Sequence, residues 1–563
     1  MTYDSNDNLI SLTDRKGQAT TYTYDKENQI NRVDYADGSF TTYTYDAVGK
    51  LTYINDSISG PIQYVYSNTG CGAGCSGAVD KVIQEITPLG IISYEYDALG
   101  RRTKMQVAGQ PVVNYTYDGN SRLTEINTLI NGVAAGFSLN YDTLGRRTSL
   151  TLPNGVKTNY TYDNASRLLN IEHLSPLSSV LDALSYVYDP NGNRTSMSRQ
   201  AVNLPLPNTV TNTSYNQANQ MLTFQPANES VKNLTYDENG NLTSVTNGCG
   251  TTTYDWDARN RLVGINGYKP DCFPLTASFK YDALGRRIEK TINGRAIQYL
   301  YDGLDIIQEI ENGVVSANYV RTLNIDEPMA RVKADGTVRY YQSDALGSVI
   351  ALTDETGSVK TQYTYDPFGN ISVSGEGSDN PFQYTGREND GTGLYYYRFR
   401  YYSSELQRFI SEDPLSLSQV LLLRQISATS DIANLIYRFA IMNPQVLNKY
   451  PYTINNPLMF TDPHGLINFN LSALLPSKPS KVITGIGLEF AGYALIGTGV
   501  VVTIVAYFAE GPLAAAHVAL TPGIGGMIYF GGFTWWRGYN LIYEGYSDLE
   551  EVKTNVVCPL QRK

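Results

Sequence analysis

A short motif of two tyrosines and an aspartate recurs along the first 330 residues, in several places at a step of 21 residues. A fixed period in this range is typical of a repeat architecture that stacks one small supersecondary unit many times. The motif therefore predicts a single stacked fold for this part of the chain. Clear copies end at Asp25, Asp46, Asp97, Asp118, Asp163 and Asp189, and looser copies at Asp237, Asp257, Asp282 and Asp302.

Each repeat has the pattern of one β-hairpin. The rings of a Tyr-x-Tyr pair stand two residues apart, which places both on one face of a strand. The following Asp-x-x-Gly, as in Asp97–Gly100 and Asp142–Gly145, is a turn signal, because Asp bonds its own downstream backbone and Gly accepts a positive φ. One hairpin cannot bury its aromatic face alone, so neighbouring hairpins must stack edge to edge. The predicted fold class is all-β, a ribbon of hairpins.

The composition supports this prediction and excludes two classes of protein. The chain has 45 Tyr in 563 residues, a net charge of −11 and only 17% charged residues. A disordered chain shows the opposite balance of apolar and charged residues. Basic residues are spread thinly over the repeats and form no basic stripe, so we predict no nucleic-acid partner for the repeat region.

The cysteines do not form the pattern of a metal site. Five of them are scattered along the chain, and the pair Cys71 and Cys75 has no second pair of ligands at a matching spacing. The whole chain has only three His. A structural loop or a local disulfide is favoured over a metal at Cys71 and Cys75, and we predict no metal site and no cofactor.

The beginning of the chain has no basic segment followed by an apolar core, so no signal peptide is visible. The sequence opens directly on a repeat fragment, Tyr3-Asp4. We therefore expect a partial shell, the C-terminal part of a longer protein, and an export route that this chain does not encode.

After residue 330 the repeats give way to a different, ordered set of motifs. This set resembles the RHS-repeat-associated core domain, and the upstream units look like the YD (RHS) repeats of bacterial Rhs toxins, Tc toxin C components and teneurins. The resemblance covers residues 1–466. The motifs that carry it are Tyr340–Val349, Tyr363–Gly369, Pro381–Glu388, Gly393–Tyr402, Arg408–Pro414, Asn455–Pro457 and Asp462–Leu466.

The resemblance implies a hollow β-shell with a core domain at one end and a C-terminal toxin as cargo. It implies three regions: a repeat shell at 1–330, a core domain at 331–466 and a variable tail at 467–563. In such proteins the core cleaves the chain after an Asp-Pro-x-Gly-Leu motif. The implied catalytic residues are Asp413, Asp462 and Arg400, and the implied scissile bond is Leu466–Ile467.

The chemistry of these residues fits an aspartic-peptidase arrangement. Two close carboxylates cannot both ionise cheaply, so one keeps a proton while the other activates water. An adjacent Arg can hold one carboxylate ionised and stabilise a developing oxyanion. The alternative is that Asp413-Pro414 and Asp462-Pro463 are simply turns.

Two features depart from the family pattern. Glu412 replaces a Pro and adds a third carboxylate next to the pair. An apolar insert at about 415–447 separates the two aspartates, and the protease is inactive if this insert disrupts the core.

The tail, residues 467–563, does not continue the repeat. Ala491–Ala509 and Gly511–Trp536 carry no charged residue and are separated by Glu510 alone. A 19-residue helix is about 28 Å long, close to the thickness of a bilayer core. A partly helical tail with a membrane-inserting hairpin at 491–536 and a tail stored as apolar cargo both remain open. His517 stands alone, and no catalytic motif is visible in the tail.

Three functions are compatible with the sequence. The first is an Rhs-type toxin carrier, secreted or at the cell surface, that encapsulates its own tail and releases it by autoproteolysis in competition between cells. Its partners would be the tail as cargo, a cognate immunity protein and secretion machinery. The second is a cell-surface protein that binds carbohydrate or another cell. The third is an orphan Rhs fragment without an active payload.

Overall fold

The computed structural model describes residues 1–67, 81–414, 448–458 and 461–466, and the backbone of four strands in the tail. The described residues before 467 are almost entirely β-strand and turn, as the repeats predict. Cys71, Cys75 and the insert at 415–447 lie outside them.

The first sheet has eighteen strands, and each strand pairs antiparallel with the next one in sequence. Its strands are β1 (Thr2–Tyr3), β2 (Leu9–Thr13), β3 (Ala19–Tyr24), β4 (Ile30–Asp34), β5 (Phe40–Tyr45), β6 (Leu51–Asp56), β7 (Gly60–Tyr66), β8 (Val82–Thr87), β9 (Gly90–Tyr96), β10 (Arg102–Val107), β11 (Val113–Tyr117), β12 (Leu123–Ile130), β13 (Val133–Tyr141), β14 (Arg147–Thr151), β15 (Lys157–Tyr162), β16 (Leu168–Leu174), β17 (Val180–Tyr188) and β18 (Arg194–Arg199).

The second sheet continues the ribbon with sixteen strands paired in the same way, past residue 330 to Gly375. Its strands are β19 (Val210–Tyr215), β20 (Met221–Pro226), β21 (Lys232–Tyr236), β22 (Leu242–Asn247), β23 (Gly250–Trp256), β24 (Leu262–Tyr268), β25 (Pro274–Tyr281), β26 (Arg287–Ile292), β27 (Arg295–Asp302), β28 (Asp305–Glu311), β29 (Val314–Arg321), β30 (Pro328–Lys333), β31 (Val338–Ser343), β32 (Val349–Thr353), β33 (Val359–Tyr365) and β34 (Ile371–Gly375).

A small four-stranded sheet follows the ribbon, with one short 3-10 turn before it and one after it. These elements are the turn Tyr384–Gly386, β35 (Glu388–Asn389), β36 (Tyr395–Tyr397), β37 (Arg400–Ser403), β38 (Arg408–Phe409) and the turn Thr453–Asn455.

The repeat turns have the predicted chemistry, as the turn that starts at Asp142 shows. One carboxyl oxygen of Asp142 accepts from the backbone N–H groups of Leu144 and Arg146, both at 2.9 Å. Gly145 donates to the Asp142 carbonyl at 3.0 Å and has a φ of +80°. Asp thus closes the turn, and the residue before the returning strand supplies the positive φ.

The second tyrosine of each repeat links its hairpin to the preceding one. The hydroxyl of Tyr162, for example, donates to the carbonyl of Arg147 at 2.9 Å. This repeated bond gives the half-buried ring a partner for its polar end. The hydroxyl groups of Tyr24, Tyr45, Tyr66, Tyr96, Tyr117, Tyr141 and Tyr188 make the corresponding bond to a carbonyl 14 to 20 residues earlier.

The arginine after the turn also connects neighbouring hairpins. Arg146 donates to the Asp142 carboxylate at 2.7 Å and to the carbonyl of Asp163, in the next repeat, at 3.1 Å. Its guanidinium also lies 4.8 Å from the ring centroid of Tyr162. The Arg-rich start of the returning strand is therefore explained by one cation that binds its own turn, the next turn and an aromatic ring.

The two large sheets contact each other through residues that lie 151 to 225 positions apart in the chain. Buried Arg286 pairs with Glu85 at 2.9 Å, and Arg259 pairs with Asp56 at 2.5 Å. The offset is close to 200 residues along most of the ribbon and falls to between 151 and 164 residues at Tyr186 and Arg199. The second sheet therefore runs alongside the first in the same overall order.

A disulfide joins Cys249, just before β23, to Cys272, in the turn before β25. The pair was not predicted, because the two residues belong to different hairpins and are 23 positions apart.

Buried ion pairs attach the small sheet to the ribbon. Arg287 and Lys290 of β26 both contact Asp390, and the side chains of Arg287 and Asp390 are fully buried.

Replacing Asp390 by Asn should lower the free energy of unfolding by roughly 3 to 5 kcal/mol, because two buried cations lose their anion. The Arg295–Glu311 pair is a surface control, and Arg295→Ala should cost less than about 1 kcal/mol. Urea unfolding measures the free energy of unfolding of both variants, and equal losses of stability would contradict this prediction.

The tail segments that the structure describes are strands, where the sequence suggested a partly helical tail. Ala491–Ala509 falls largely within two of them, and the run Val500–Val505 is rich in β-branched residues, which favour strands over helices. Among the described residues no helix is long and apolar enough to cross a membrane. The tail strands are β39 (Gly487–Ile496), β40 (Gly499–Phe508), β41 (Gly511–Leu520) and β42 (Met527–Phe530).

Candidate functional site

Arg400 occupies the first position of β37, where a tight turn from β36 begins the returning strand. Tyr397 pairs with Arg400 in the sheet, and Arg398 in the turn between them has a φ of +60°. The guanidinium of Arg400 lies 3.6 Å from the ring centroid of Phe409 in β38. Burial and this aromatic contact fix the cation in one orientation.

The structure brings the three predicted catalytic residues together. The Nη2 atom of Arg400 lies 2.9 Å from Oδ2 of Asp413 and 3.2 Å from Oδ2 of Asp462. Both contacts end on one nitrogen, so the two carboxyl oxygens are at most about 6 Å apart, the span of two hydrogen bonds. All three side chains are buried. This separation is compatible with a carboxylate pair that shares a proton or a water.

The backbone on the two sides of the insert is held together next to this site. Asp413 donates from its N–H to the carbonyl of Lys449 at 3.0 Å, and Phe409 donates to Tyr450 at 3.0 Å. Arg400 also donates to the Lys449 carbonyl at 3.0 Å. The chain therefore leaves and re-enters the site at neighbouring positions, and both aspartates keep their contacts with Arg400.

The loop before the predicted scissile bond folds back on Asp462. Leu466 donates from its N–H to Oδ1 of Asp462 at 2.9 Å, and Gly465 donates to the Asp462 carbonyl at 3.3 Å. Arg400 Nε donates to the carbonyl of Gly465. Leu466 is buried, and Ile467 lies outside the described residues. The residue before the predicted cleavage point is thus bonded directly to one of the two carboxyl groups.

Asp462 therefore sits in a turn of the repeat type and also in the carboxylate pair. Its bond to an N–H four residues later and the positive φ of Gly465, +67°, match the repeat turns. The turn and catalytic interpretations of the Asp-Pro motif are compatible at this position.

Burial dominates the electrostatics of Asp462. It raises the pKa of Asp462 to about 6, although Arg400 and the N–H groups of Leu466 and Gly465 act in the opposite direction. A carboxyl group with such a pKa can carry a proton close to neutral pH and can act as an acid.

Glu412, the unexpected third carboxylate, has partners of its own. It pairs with Arg15 at 2.9 Å and with Lys449 at 2.7 Å. Arg15 lies between β2 and β3, so this glutamate connects the core region to the first repeats.

A second arginine at the same loop was not predicted from the sequence. Arg398 donates to the carbonyl of Pro463, next to Asp462, and pairs with Asp305 and Asp326. The alternation of arginines at positions 398 and 400 was a signal for it, but the acidic partners lie in distant repeats.

Comparison with known families gives two matches. The family described as Teneurin YD-shell matches residues 137–445, and the RHS Repeat family matches residues 3–39. The first match covers more than half of the chain.

Several curated relatives are bacterial proteins named as toxins or nucleases. The chain is 32% identical over 289 residues to tRNA nuclease WapA of Bacillus subtilis, which covers 50% of this chain and 11% of the relative. It is 28% identical over 237 residues to double-stranded DNA deaminase toxin A of Burkholderia cenocepacia, covering 36% of this chain and 16% of the relative. Toxin subunit YenC1 of Yersinia entomophaga is 26% identical over 243 residues, 38% of this chain and 22% of the relative. The chain thus spans only about a tenth to a fifth of the length of these relatives.

Solved structures show the same fold at lower sequence identity. The TcdB2-TccC3 crystal structure matches with a TM-score of 0.53 and 17% identity, over 82% of this chain and 28% of that chain. A Tc holotoxin pore of Photorhabdus luminescens matches with a TM-score of 0.52 and 18% identity, over 83% of this chain and 27% of that chain. Together with the matched repeats and the ribbon of hairpins, these findings show that the chain belongs to the teneurin YD-shell family.

Proposed function

We propose that this protein is a toxin carrier that stores its C-terminal segment, residues 467–563, and releases it by cutting its own chain after Leu466. The observation that carries the proposal is the site itself, in which Arg400 contacts both Asp413 and Asp462 and the loop ending at Leu466 is bonded to both Arg400 and Asp462. The division into a shell at 1–330, a core domain at 331–466 and a tail at 467–563 belongs to the same proposal.

The proposed reaction is hydrolysis of the Leu466–Ile467 peptide bond. Asp413, the carboxylate nearer to Arg400, accepts a proton from the attacking water. Asp462 supplies its proton to the carbonyl oxygen of Leu466 as the tetrahedral intermediate forms. Asp413 then passes the proton that it took from water to the nitrogen of Ile467, the C–N bond breaks, and one hydroxyl group of the intermediate returns its proton to Asp462. The products are a carboxylate at Leu466 and an amine at Ile467.

The similarity to toxins supports the carrier role. WapA, the deaminase toxin and YenC1 are toxins or nucleases by name, and this chain matches only part of each. We propose that the chain likewise delivers a harmful tail to competing cells, is secreted or displayed at the cell surface, and requires an immunity protein and secretion machinery as partners.

A denaturing gel of the expressed full chain tests the proposal. Cleavage after Leu466 gives a fragment of 97 residues, 467–563, and mass spectrometry identifies its first residue as Ile467. An intact chain would contradict release by autoproteolysis and would favour a binding protein or an orphan fragment instead.

The pKa of Asp462 leads to a pH dependence of cleavage. Because the mechanism uses protonated Asp462, we expect the rate to be highest below about pH 6 and to fall by about tenfold per pH unit above it. The precursor is purified in denaturant at alkaline pH and diluted into native buffers from pH 4.5 to 8.5, and the 97-residue fragment is quantified over time. A rate that rises through pH 6 would show that Asp462 acts as a base.

A further inference from the structure

Buried Arg398 is the centre of an ion network next to the loop that ends at Leu466, before the predicted scissile bond. Its Nη2 atom lies 2.7 Å from Asp326 and 3.1 Å from Asp305, and its Nη1 atom lies 3.0 Å from Asp326. Nη1 also donates to the carbonyl of Pro463, and Nε donates to the carbonyl of Leu304 at 3.3 Å. One guanidinium thus connects the ribbon to the residue that follows Asp462.

The acidic partners belong to the repeat ribbon. Asp305 is the first residue of β28, and Asp326 lies between β29 and β30 with a φ of +60°. Each has a second arginine partner, Arg321 for Asp305 and Arg387 for Asp326. Although burial raises the pKa of Asp326, Arg387 and Arg398 lower it more, so its pKa lies below the usual value and Asp326 is ionised.

The geometry makes the position of Arg398 depend on these carboxylates. Two fixed anions bind one side of the guanidinium, and its planar fork then points a remaining N–H at Pro463. Without them a buried arginine is uncompensated, and the side chain must move. The bond to Pro463 would be lost with that movement.

The position of Pro463 in the loop explains how a movement of Arg398 affects the site. Pro463 is adjacent to Asp462 and three residues before Leu466, and Arg400 holds the same loop at Gly465. The loop therefore has two arginine attachments, one within the carboxylate site and one to the ribbon. A displacement of about 1 Å at a reacting group can cost about a hundredfold in rate.

We propose that Arg398 is a positioning residue. Through Arg398, self-cleavage requires that β28–β30 pack against the loop that ends at Leu466. The site becomes competent only when Asp305 and Asp326 of the folded ribbon bind Arg398, so the tail is cut free only after this part of the shell has closed on the core. This inference rests on the proposed function.

The test compares three variants with a matched control. Arg398→Gln and Asp326→Asn should slow formation of the 97-residue fragment by roughly 10- to 100-fold. Arg398→Lys should recover thermal stability but not the rate, because an ammonium cannot replace the fork. The control is Arg147→Gln, which breaks a similar pair with Glu327, the neighbour of Asp326, but has no bond to the 462–466 loop. Its cleavage rate should stay within about twofold of the wild type, since Arg147 makes no bond to the loop that ends at Leu466.

Hydrogen exchange of the peptide 461–466 gives a readout that does not require cleavage. Arg398→Gln should lower the protection of the Leu466 amide, and Arg147→Gln should not. Unchanged protection and a wild-type rate in Arg398→Gln would overturn the inference and leave the proposed function intact. Lost protection in a chain that is never cleaved would support the positioning role of Arg398 while removing the proposed function.

Discussion

Replacing Asp462 by Asn should leave the full-length chain uncleaved, with a rate reduced by roughly a thousandfold or more, as expected for loss of one member of a catalytic unit. Asn keeps the oxygen that accepts from Leu466 but cannot supply the proton. Asp413→Asn should have an effect of similar size, because the pair acts together. Fragment formation is followed on denaturing gels, and circular dichroism verifies that the shell remains folded.

The chain contains a matched control for this experiment. Asp366-Pro367-Phe368-Gly369 has the same Asp-Pro-x-Gly pattern, and Asp366 makes the same turn bond to an N–H four residues later. Its other carboxyl oxygen accepts from Asn370 at 2.7 Å rather than from an arginine. Asp366→Asn should therefore be cleaved normally. Cleavage that persists in Asp462→Asn would exclude the aspartyl mechanism.

Replacing Gly465 by Ala should reduce cleavage by about a hundredfold through geometry alone. Gly465 has a φ of +67°, and an added Cβ would collide with the carbonyl oxygen of Tyr397 and approach Arg400 N to 3.1 Å. Both atoms are backbone, so the loop that bears Leu466 must shift away from Arg400. The measurement is the rate of fragment formation, together with the melting temperature of the shell.

Gly391→Ala separates the collision from the cost of a positive φ. Gly391 has the same φ of +67°, but nothing lies within 4 Å of an added Cβ. Both substitutions carry a backbone cost of about 1 to 2 kcal/mol, and only Gly465→Ala adds the steric displacement. Equal cleavage in the two variants would show that the loop tolerates the shift and that the close fit at Gly465 is unimportant for the reaction.

The repeat region was predictable because its structure is local. The turn at Asp142, the bond of Tyr162 to the preceding hairpin and the arginine link each join residues within about one repeat, so the motif itself specifies them. The catalytic candidates Asp413, Asp462 and Arg400 were named through the resemblance to a family, and their catalytic role stays a prediction. From composition and spacing alone, Asp413-Pro414 and Asp462-Pro463 would have been interpreted as turns.

Long-range features could not be predicted from the sequence. Nothing in the motif indicates that Arg286 binds Glu85, or that Arg398 binds Asp326, because side chains of the same types recur in many repeats. The apolar runs of the tail gave a different difficulty. Hydrophobicity without periodicity does not separate helix from strand, and the β-branched content of Val500–Val505 was the signal that a helical assignment neglected.

The offset of about 200 residues between contacting positions of the two large sheets also delays these contacts during synthesis. Glu85 is buried against Arg286, which is made 201 residues later. At ordinary rates of translation this is a delay of about 10 to 40 s. Throughout that interval the early hairpins can rely only on contacts within their own sheet, and their carboxylates face water without the cations that will cover them. The local links between neighbouring repeats must therefore keep the first sheet folded until the second sheet has been synthesised.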